Sequence, residues 1–189
     1  MRVAGGIHRG KALAAPKSRD IRPTSERTRQ ALFNILEHGV EGFTLTDARV
    51  CDLFAGTGAL GLEALSRGAR FCLFVDDLAE ARALIRRNVE ALGATGHSKI
   101  WRRDATSLGK AVPMPPFDLL FADPPYGKGF GEKALSIAVS GGWLTENAIC
   151  VMEEDAKSEI GEIEGLEQFD KRTYGDTQVV FFRRTNHPA

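Results

Sequence analysis

Apolar residues along this chain come in short runs separated by glycine-rich or polar joints, and the runs alternate between two periods. Val50 to Phe54, Phe71 to Val75 and Phe117 to Ala122 are almost continuously apolar, the pattern of strands covered on both faces of a parallel sheet. Ala148 to Met152 is a run of the same kind, and Lys99 to Arg103 a weaker one. Between them the spacing turns helical. Leu78, Ala81, Leu84, Ile85, Val89 and Leu92 mark one face of a helix closed by Gly93, while Ala59–Ser66 before Gly68 and Phe130–Val139 before Gly141-Gly142 suit two more. Upstream, Thr24 or Ser25 can cap a helix that runs to His38 and stops at Gly39, with Ala31, Leu32, Ile35 and Leu36 as its apolar face. Arg2–Ile7 and Lys11–Ala15 flank Ile7-His8-Arg9-Gly10, the outline of a hairpin with Arg9 at its tip, and Gln168–Tyr174 and Thr177–Arg183 flank a second turn at Gly175-Asp176.

Strand and helix thus alternate about four times before a C-terminal hairpin. That order predicts an α/β fold: a doubly wound, Rossmann-like, mostly parallel sheet with a reversed strand at one side. Residues 1–39 read as a basic hairpin-and-helix extension, and residues 40–189 as the main α/β domain.

Composition narrows the class. At 189 residues and 43% hydrophobic content the chain can bury a full core, and no apolar run approaches the roughly 20 residues of a membrane span. The first residues are too short and too polar for a signal peptide. Cys51, Cys72 and Cys150 lie in strand-like runs without CxxC spacing, which suits buried thiols in a reducing cytoplasm, and the four scattered histidines give no metal site. Net charge is zero but unevenly spread. Residues 1–36 carry eight cations against Asp20 and Glu26, whereas residues 151–170 carry eight acids against Lys157. Arg2, Arg9, Lys11, Arg22, Arg27 and Arg29 make the first stretch a candidate polyanion-binding arm, with a solvated basic face as the plain alternative. Arg22, Arg27 and Arg29 stand at or before a helix N-terminus, where the dipole opposes cations unless an anion compensates.

The chemistry concentrates in two motifs. Asp52-Leu53-Phe54-Ala55-Gly56-Thr57-Gly58-Ala59-Leu60-Gly61 joins strand to helix through a glycine turn, and an acid, Asp76, follows about 20 residues on. Read alone, this is a dinucleotide fingerprint. Asp52, however, would repel a pyrophosphate. A sulfonium and an ammonium, as in S-adenosylmethionine, suit it instead. Asp76 can accept from both ribose hydroxyls and Asp104 from an adenine amine, unless the two merely cap the turns that follow them. Phe54, Ala55, Gly56, Thr57, Gly58 and Gly61 complete the expected cofactor wall.

The second motif, Asp123-Pro124-Pro125-Tyr126, ends another buried strand. A carboxylate that accepts one N–H of an exocyclic amine redirects the nitrogen lone pair out of ring conjugation. Two prolines stiffen the loop, and a tyrosine face can stack an extruded base. The plain reading is a strand end with a packed tyrosine.

Together, Asp52 to Gly58 and Asp123 to Tyr126 resemble class I S-adenosylmethionine-dependent methyltransferases of exocyclic amines. Gly5-Gly6-x-x-Arg9-Gly10, Arg22-Pro23-Thr24 and Arg29 to Asn34 resemble the bacterial 16S rRNA guanine-N2 methyltransferase family, over residues 2 to about 183. The resemblance implies a seven-stranded sheet, S-adenosylmethionine as methyl donor, and 16S rRNA within the small ribosomal subunit as partner. It places the cofactor at Asp52–Gly61 and Asp76, the guanine at Asp123–Tyr126 and RNA on the basic arm. A monomer without metal or membrane is expected. Gln30 departs from the glutamate frequent in the family, and Asp104 fills a variable place. Methylation of DNA adenine or cytosine, of protein glutamine, a nicotinamide oxidoreductase, and a cofactor-binding RNA chaperone are the alternatives.

Overall fold

The computed structural model describes residues 1–185. The last four residues of the expected catalytic domain, with His187, lie outside the described residues. A seven-stranded sheet runs in the order β3-β2-β1-β4-β5-β7-β6. Its strands are β1 (Arg49–Leu53), β2 (Phe71–Val75), β3 (Ser98–Trp101), β4 (Phe117–Ala122), β5 (Leu144–Asp155), β6 (Leu166–Tyr174) and β7 (Thr177–Arg184). The first five pair in parallel, and β7 runs antiparallel to both β5 and β6. Helices α1 (Glu26–His38), α2 (Ala59–Ser66), α3 (Ala79–Ala91) and α4 (Phe130–Ser140) cover the two faces. No described helix is long and apolar enough to cross a membrane.

Alternation along the strands splits the core in two. Val50, Cys72, Phe74, Leu119, Phe121, Val151 and Phe181 face the layer built by α1, α2 and α3. Cys51, Leu53, Leu73, Leu120, Cys150 and Phe182 face α4 and Trp143. α2 lies flat against the sheet because Gly61 leaves room: a Cβ there would come 2.6 Å from the Cys72 sulfur.

Several expectations shift. The N-terminal hairpin has a single bridge, Arg2–Ala12, rather than two strands. It is no loose appendage, since Val3 and Leu13 join Leu32, Phe33 and Leu36 of α1 in the same apolar cluster as the sheet. Buried Glu63 of α2 accepts the Ala4 and Gly5 N–H groups at 3.0 and 2.8 Å and fixes the hairpin to the body. The buried face of α1 is Arg29, Leu32, Phe33 and Leu36, so Phe33 and Arg29 displace Ala31 and Ile35 from the expected stripe. β5 extends from Leu144 to Asp155, well beyond the expected Ala148–Met152, and takes the first acids of the acidic stretch into the sheet.

Candidate methyl-transfer site

Strand register builds the site. Leu53 pairs with Val75 on one side and Ala122 on the other, and Ala122 pairs with Met152. The residues that follow these four are Phe54, Asp76, Asp123 and Glu153, so three carboxylates stand at one level across the sheet, with Glu153 still inside β5. Asp52 lies two residues below Phe54 and turns toward α2. Ligands of open parallel sheets sit beyond the carboxyl ends of the strands. Here a cavity of about 360 Å³ is lined by Asp52, Phe54 to Thr57, Asp76 to Leu78, Asp123 to Tyr126, Glu153 and the connector Asp20–Thr24. That size falls in the range of small-molecule sites.

The glycine turn is held from three sides. Phe54, Gly56 and Gly58 all have positive φ, at 53°, 58° and 80°. For a bulky residue such as Phe54 that conformation is strained and persists only when its surroundings enforce it. Gly56 N–H donates to Asp76 Oδ2 at 2.9 Å, and Gly61 N–H to Asp52 Oδ2 at 3.0 Å. Asn88 of α3 donates to the Thr57 carbonyl at 2.9 Å and accepts the Ala14 N–H at 2.7 Å.

None of Asp52, Asp76, Asp123 and Glu153 has an ion-pair partner among the described residues. Asp52 is 1% exposed, and burial raises its pKa to about 8, offset in part by the Gly61 N–H and reinforced by Asp76. Burial also raises Asp76, against the N–H groups of Leu78 and Gly56. Asp123 is pushed well above the carboxylate range, first by burial and then by Glu153 beside it. Such a site favours a cationic ligand. It also disfavours a pyrophosphate, because Asp52 already occupies the Gly61 N–H in the first turn of α2, where a phosphate would bind.

The Asp123 side of the cavity differs in its partners. The Thr24 hydroxyl lies 3.2 Å from Asp123 Oδ2 and 3.0 Å from Glu153 Oε2. Tyr126 Oη donates to Glu153 Oε1 at 2.7 Å and lies 3.1 Å from the Thr177 hydroxyl. Burial and Glu153 together push the Tyr126 phenol upward. The Arg22 guanidinium sits 5.1 Å from the centre of the Tyr126 ring, so one tyrosine face holds a cation in this structure.

Three sequence expectations need correction or sharpening. Asp104 is exposed and does not line the cavity, because its Oδ1 takes the Thr106 N–H and hydroxyl at 2.8 and 2.7 Å. Register explains this: Val75 pairs with Trp101, so Arg102 is level with the rim and Asp104 lies two residues past it. Arg29, expected on the RNA surface, is fully buried; it donates to the Arg2 carbonyl at 2.6 Å and lies 3.9 Å from Glu63. Arg2 keeps an exposed surface but donates to the Gly10 carbonyl at 2.7 Å inside the hairpin. Arg9, Lys11, Arg22 and Arg27 are exposed.

Sequence reasoning missed Glu153 and Thr24. Glu153 was hidden in the acidic count; its signal was position, directly after an apolar strand run, as with Asp76 and Asp123. Thr24 read as an alternative helix cap, but Ser25 caps α1 by accepting the Thr28 N–H, which leaves the Thr24 hydroxyl to the site.

Sheet order, glycine turn and carboxylate rim define a class I methyltransferase, a fold class that implies a methyl donor of the S-adenosylmethionine type. The chain belongs to the family described as conserved hypothetical protein 95, whose profile matches residues 1–183. It is 36% identical over 159 residues to ribosomal RNA small subunit methyltransferase D of Escherichia coli (strain K12), covering 84% of this chain and 76% of that one. It is 34% identical over 187 residues to YlbH of Bacillus subtilis (strain 168), covering 97% and 99%. The solved structure of yhhF from Escherichia coli superposes with a TM-score of 0.84 at 28% identity over 99% of both chains.

Proposed function

We propose that this chain transfers a methyl group from S-adenosylmethionine to the exocyclic N2 amine of a guanine in 16S rRNA, in an assembled or assembling small ribosomal subunit in the cytoplasm. The observation that carries the reading is the row of carboxylates around one cavity, Asp76, Asp123 and Glu153 with Asp52 beneath, none of them ion-paired among the described residues. A sulfonium–ammonium ligand suits it, and the family membership supports rRNA as acceptor.

The residues divide the work. Asp52 and the turn Phe54–Thr57 would face the methionine part and Asp76 the ribose, with Leu78 as an apolar wall, while Gly58 and Gly61 shape the turn from outside the cavity lining. When bound, the donor supplies an electrophilic methyl group, the C–S bond breaking as a C–N bond forms. Asp123 would accept one guanine N2–H and orient the lone pair, while Pro124 and Pro125 hold the loop. Proximity and orientation supply most of the acceleration. Arg9, Lys11, Arg22 and Arg27 would hold phosphates.

The test is tritiated-methyl transfer to 16S rRNA and to small-subunit particles from cells lacking this activity, with the modified base mapped. Label on one guanine N2 is expected. Label only on DNA, or on an adenine, would overturn the acceptor assignment, and no label on any nucleic acid would overturn the reading.

A further inference from the structure

The acceptor side of the cavity holds a half-buried carboxylate, Asp123, and a buried one, Glu153, with one hydroxyl between them. Asp123 ends β4, Glu153 lies in β5, and the Thr24 oxygen stands within 3.2 Å of the first and 3.0 Å of the second. A threonine hydroxyl has one proton and can donate it to only one of them. If both acids were ionised, the other contact would set two lone-pair-bearing oxygens against each other, with two negative charges in a dry site. The arrangement is satisfied when one carboxyl carries a proton and donates it to Thr24, which donates onward to the other. Thr24 is free to do so because α1 takes its cap from Ser25.

We propose that Asp123, Thr24 and Glu153 form a proton relay: Asp123 takes the proton that the methylated amine must lose, and Thr24 passes it on to Glu153. This rests on the methyl-transfer reading above. The balance is simple. As the C–N bond forms and the C–S bond breaks, the positive charge leaves sulfur for nitrogen. The amine N–H then breaks, its electron pair stays on nitrogen, and the proton goes to the Asp123 carboxylate. Thr24 accepts that proton as its own O–H proton moves to Glu153, so Asp123 returns to the ionised form. Asp123 is the catalytic residue of the three; Thr24 and Glu153 act through it.

The surroundings of the two carboxyl groups differ. Asp123 faces Asp52 from β1 and Arg22 from the connector besides Glu153. Glu153 faces the Tyr126 phenol, which donates to its second oxygen and itself meets Thr177 of β7. Glu153 therefore has two hydroxyl neighbours through which a proton can reach or leave it, where Asp123 has one. Burial and Glu153 both push the ligand-free Asp123 toward the neutral form, and a cationic methyl donor nearby reverses that push.

Two measurements test the relay. The first is calorimetry of S-adenosylmethionine binding at neutral pH in two buffers of different ionisation enthalpy, which counts protons released without any turnover. The wild-type chain is expected to release about one proton more than the Asp123→Asn, Glu153→Gln double variant, in which neither partner of Thr24 can hold a proton; equal counts would overturn the shared proton. The second is single-turnover methyl transfer across pH. Thr24→Val, isosteric but without the hydroxyl, is expected to slow transfer on the order of ten- to hundred-fold with its donor affinity kept, while Thr24→Ser restores rate and pH profile. A Thr24→Val protein with wild-type rate and profile would overturn the relay and leave the methyltransferase reading intact. A wild-type chain that methylates no RNA would instead overturn that reading, and the relay's part in turnover with it.

Discussion

The two halves of the cavity wall are built from the same residue type held in opposite ways. In the cofactor half, the carboxylates of Asp52 and Asp76 accept backbone N–H groups: Gly61 for the first, Gly56 and Leu78 for the second. Backbone donors are fixed by the fold and cannot give up their protons. In the acceptor half, Asp123 and Glu153 meet hydroxyls, from Thr24 and Tyr126. Hydroxyls rotate and can both give and take a proton. On the proposed reading, the first half would be a rigid cradle for a molecule that must bind and leave, and the second would suit a proton that must move. The halves also differ in reach. The acceptor half is completed by residues from the N-terminal connector, Arg22 and Thr24, and so extends toward the basic arm.

The largest effect that would separate the halves is loss of Asp123. Asp123→Ala is expected to lower methyl transfer by roughly 10²–10⁴-fold, the span of acid–base groups, while binding of S-adenosylhomocysteine changes little. Rate is read by single-turnover transfer and binding by calorimetry. If the product binds as poorly as the rate falls, Asp123 belongs to the cofactor half and the division fails.

Gly61→Ala should strike the other half. Its Cβ would fall on the Phe74 ring and 2.6 Å from the Cys72 sulfur, so α2 must lift from the sheet and carry its Gly61 N–H away from Asp52. Overpacking of this kind costs about 1–3 kcal/mol. A lowered Tm and weakened S-adenosylmethionine binding are expected together. An unchanged Tm would mean that the helix–sheet contact yields more easily than the close approach implies.

The charge of the cofactor half gives a pH signature. The folded pKa of Asp52 is raised from its ordinary 3.8 to about 8 by burial. The folded chain therefore binds more protons than the unfolded chain between those values, and stability falls as pH rises across the window. Asp52→Asn keeps an oxygen to accept the Gly61 N–H and removes the ionisation. In thermal melts without ligand, the variant is expected to gain on the wild type steadily from about pH 5 to about pH 8, and to bind S-adenosylmethionine more weakly. Parallel melting curves would show that Asp52 does not hold a proton in the empty cavity.

The sequence made the cofactor half legible and only part of the acceptor half. Glycine at 56, 58 and 61 has a local cause, a turn with positive φ and a helix seated on a sheet, so the motif is read within a dozen residues. Asp76 and Asp123 were visible because each follows an apolar run. Glu153 follows one too, but it opens an acidic stretch, and its role emerges only when register aligns Met152 with Ala122. Thr24 reaches the site from 99 residues before Asp123, a distance that no local pattern encodes. Asp104 and Arg29 failed for the complementary reason. Residue type suited the role in each, but one lies two residues past the rim and the other turns inward between Glu63 and the Arg2 carbonyl.

Arg9 and Arg29 carry the smallest effects and the finest distinction. Arg9 is exposed at the tip of the N-terminal turn, whereas Arg29 is fully buried. If Arg9 meets a phosphate, Arg9→Ala should lower the slope of log affinity for rRNA against log salt concentration by about one. S-adenosylmethionine affinity should not respond, because Arg9 does not line the cavity. Arg29→Ala should leave the salt slope alone and act through folding, since it removes one buried cation beside Glu63 and the donor to the Arg2 carbonyl; its signature is a lower Tm. Filter binding over a salt series, paired with melts, distinguishes the two. A salt slope that falls with Arg29→Ala in a fully folded protein would place that guanidinium on the RNA after all, and would require α1 to turn when RNA binds.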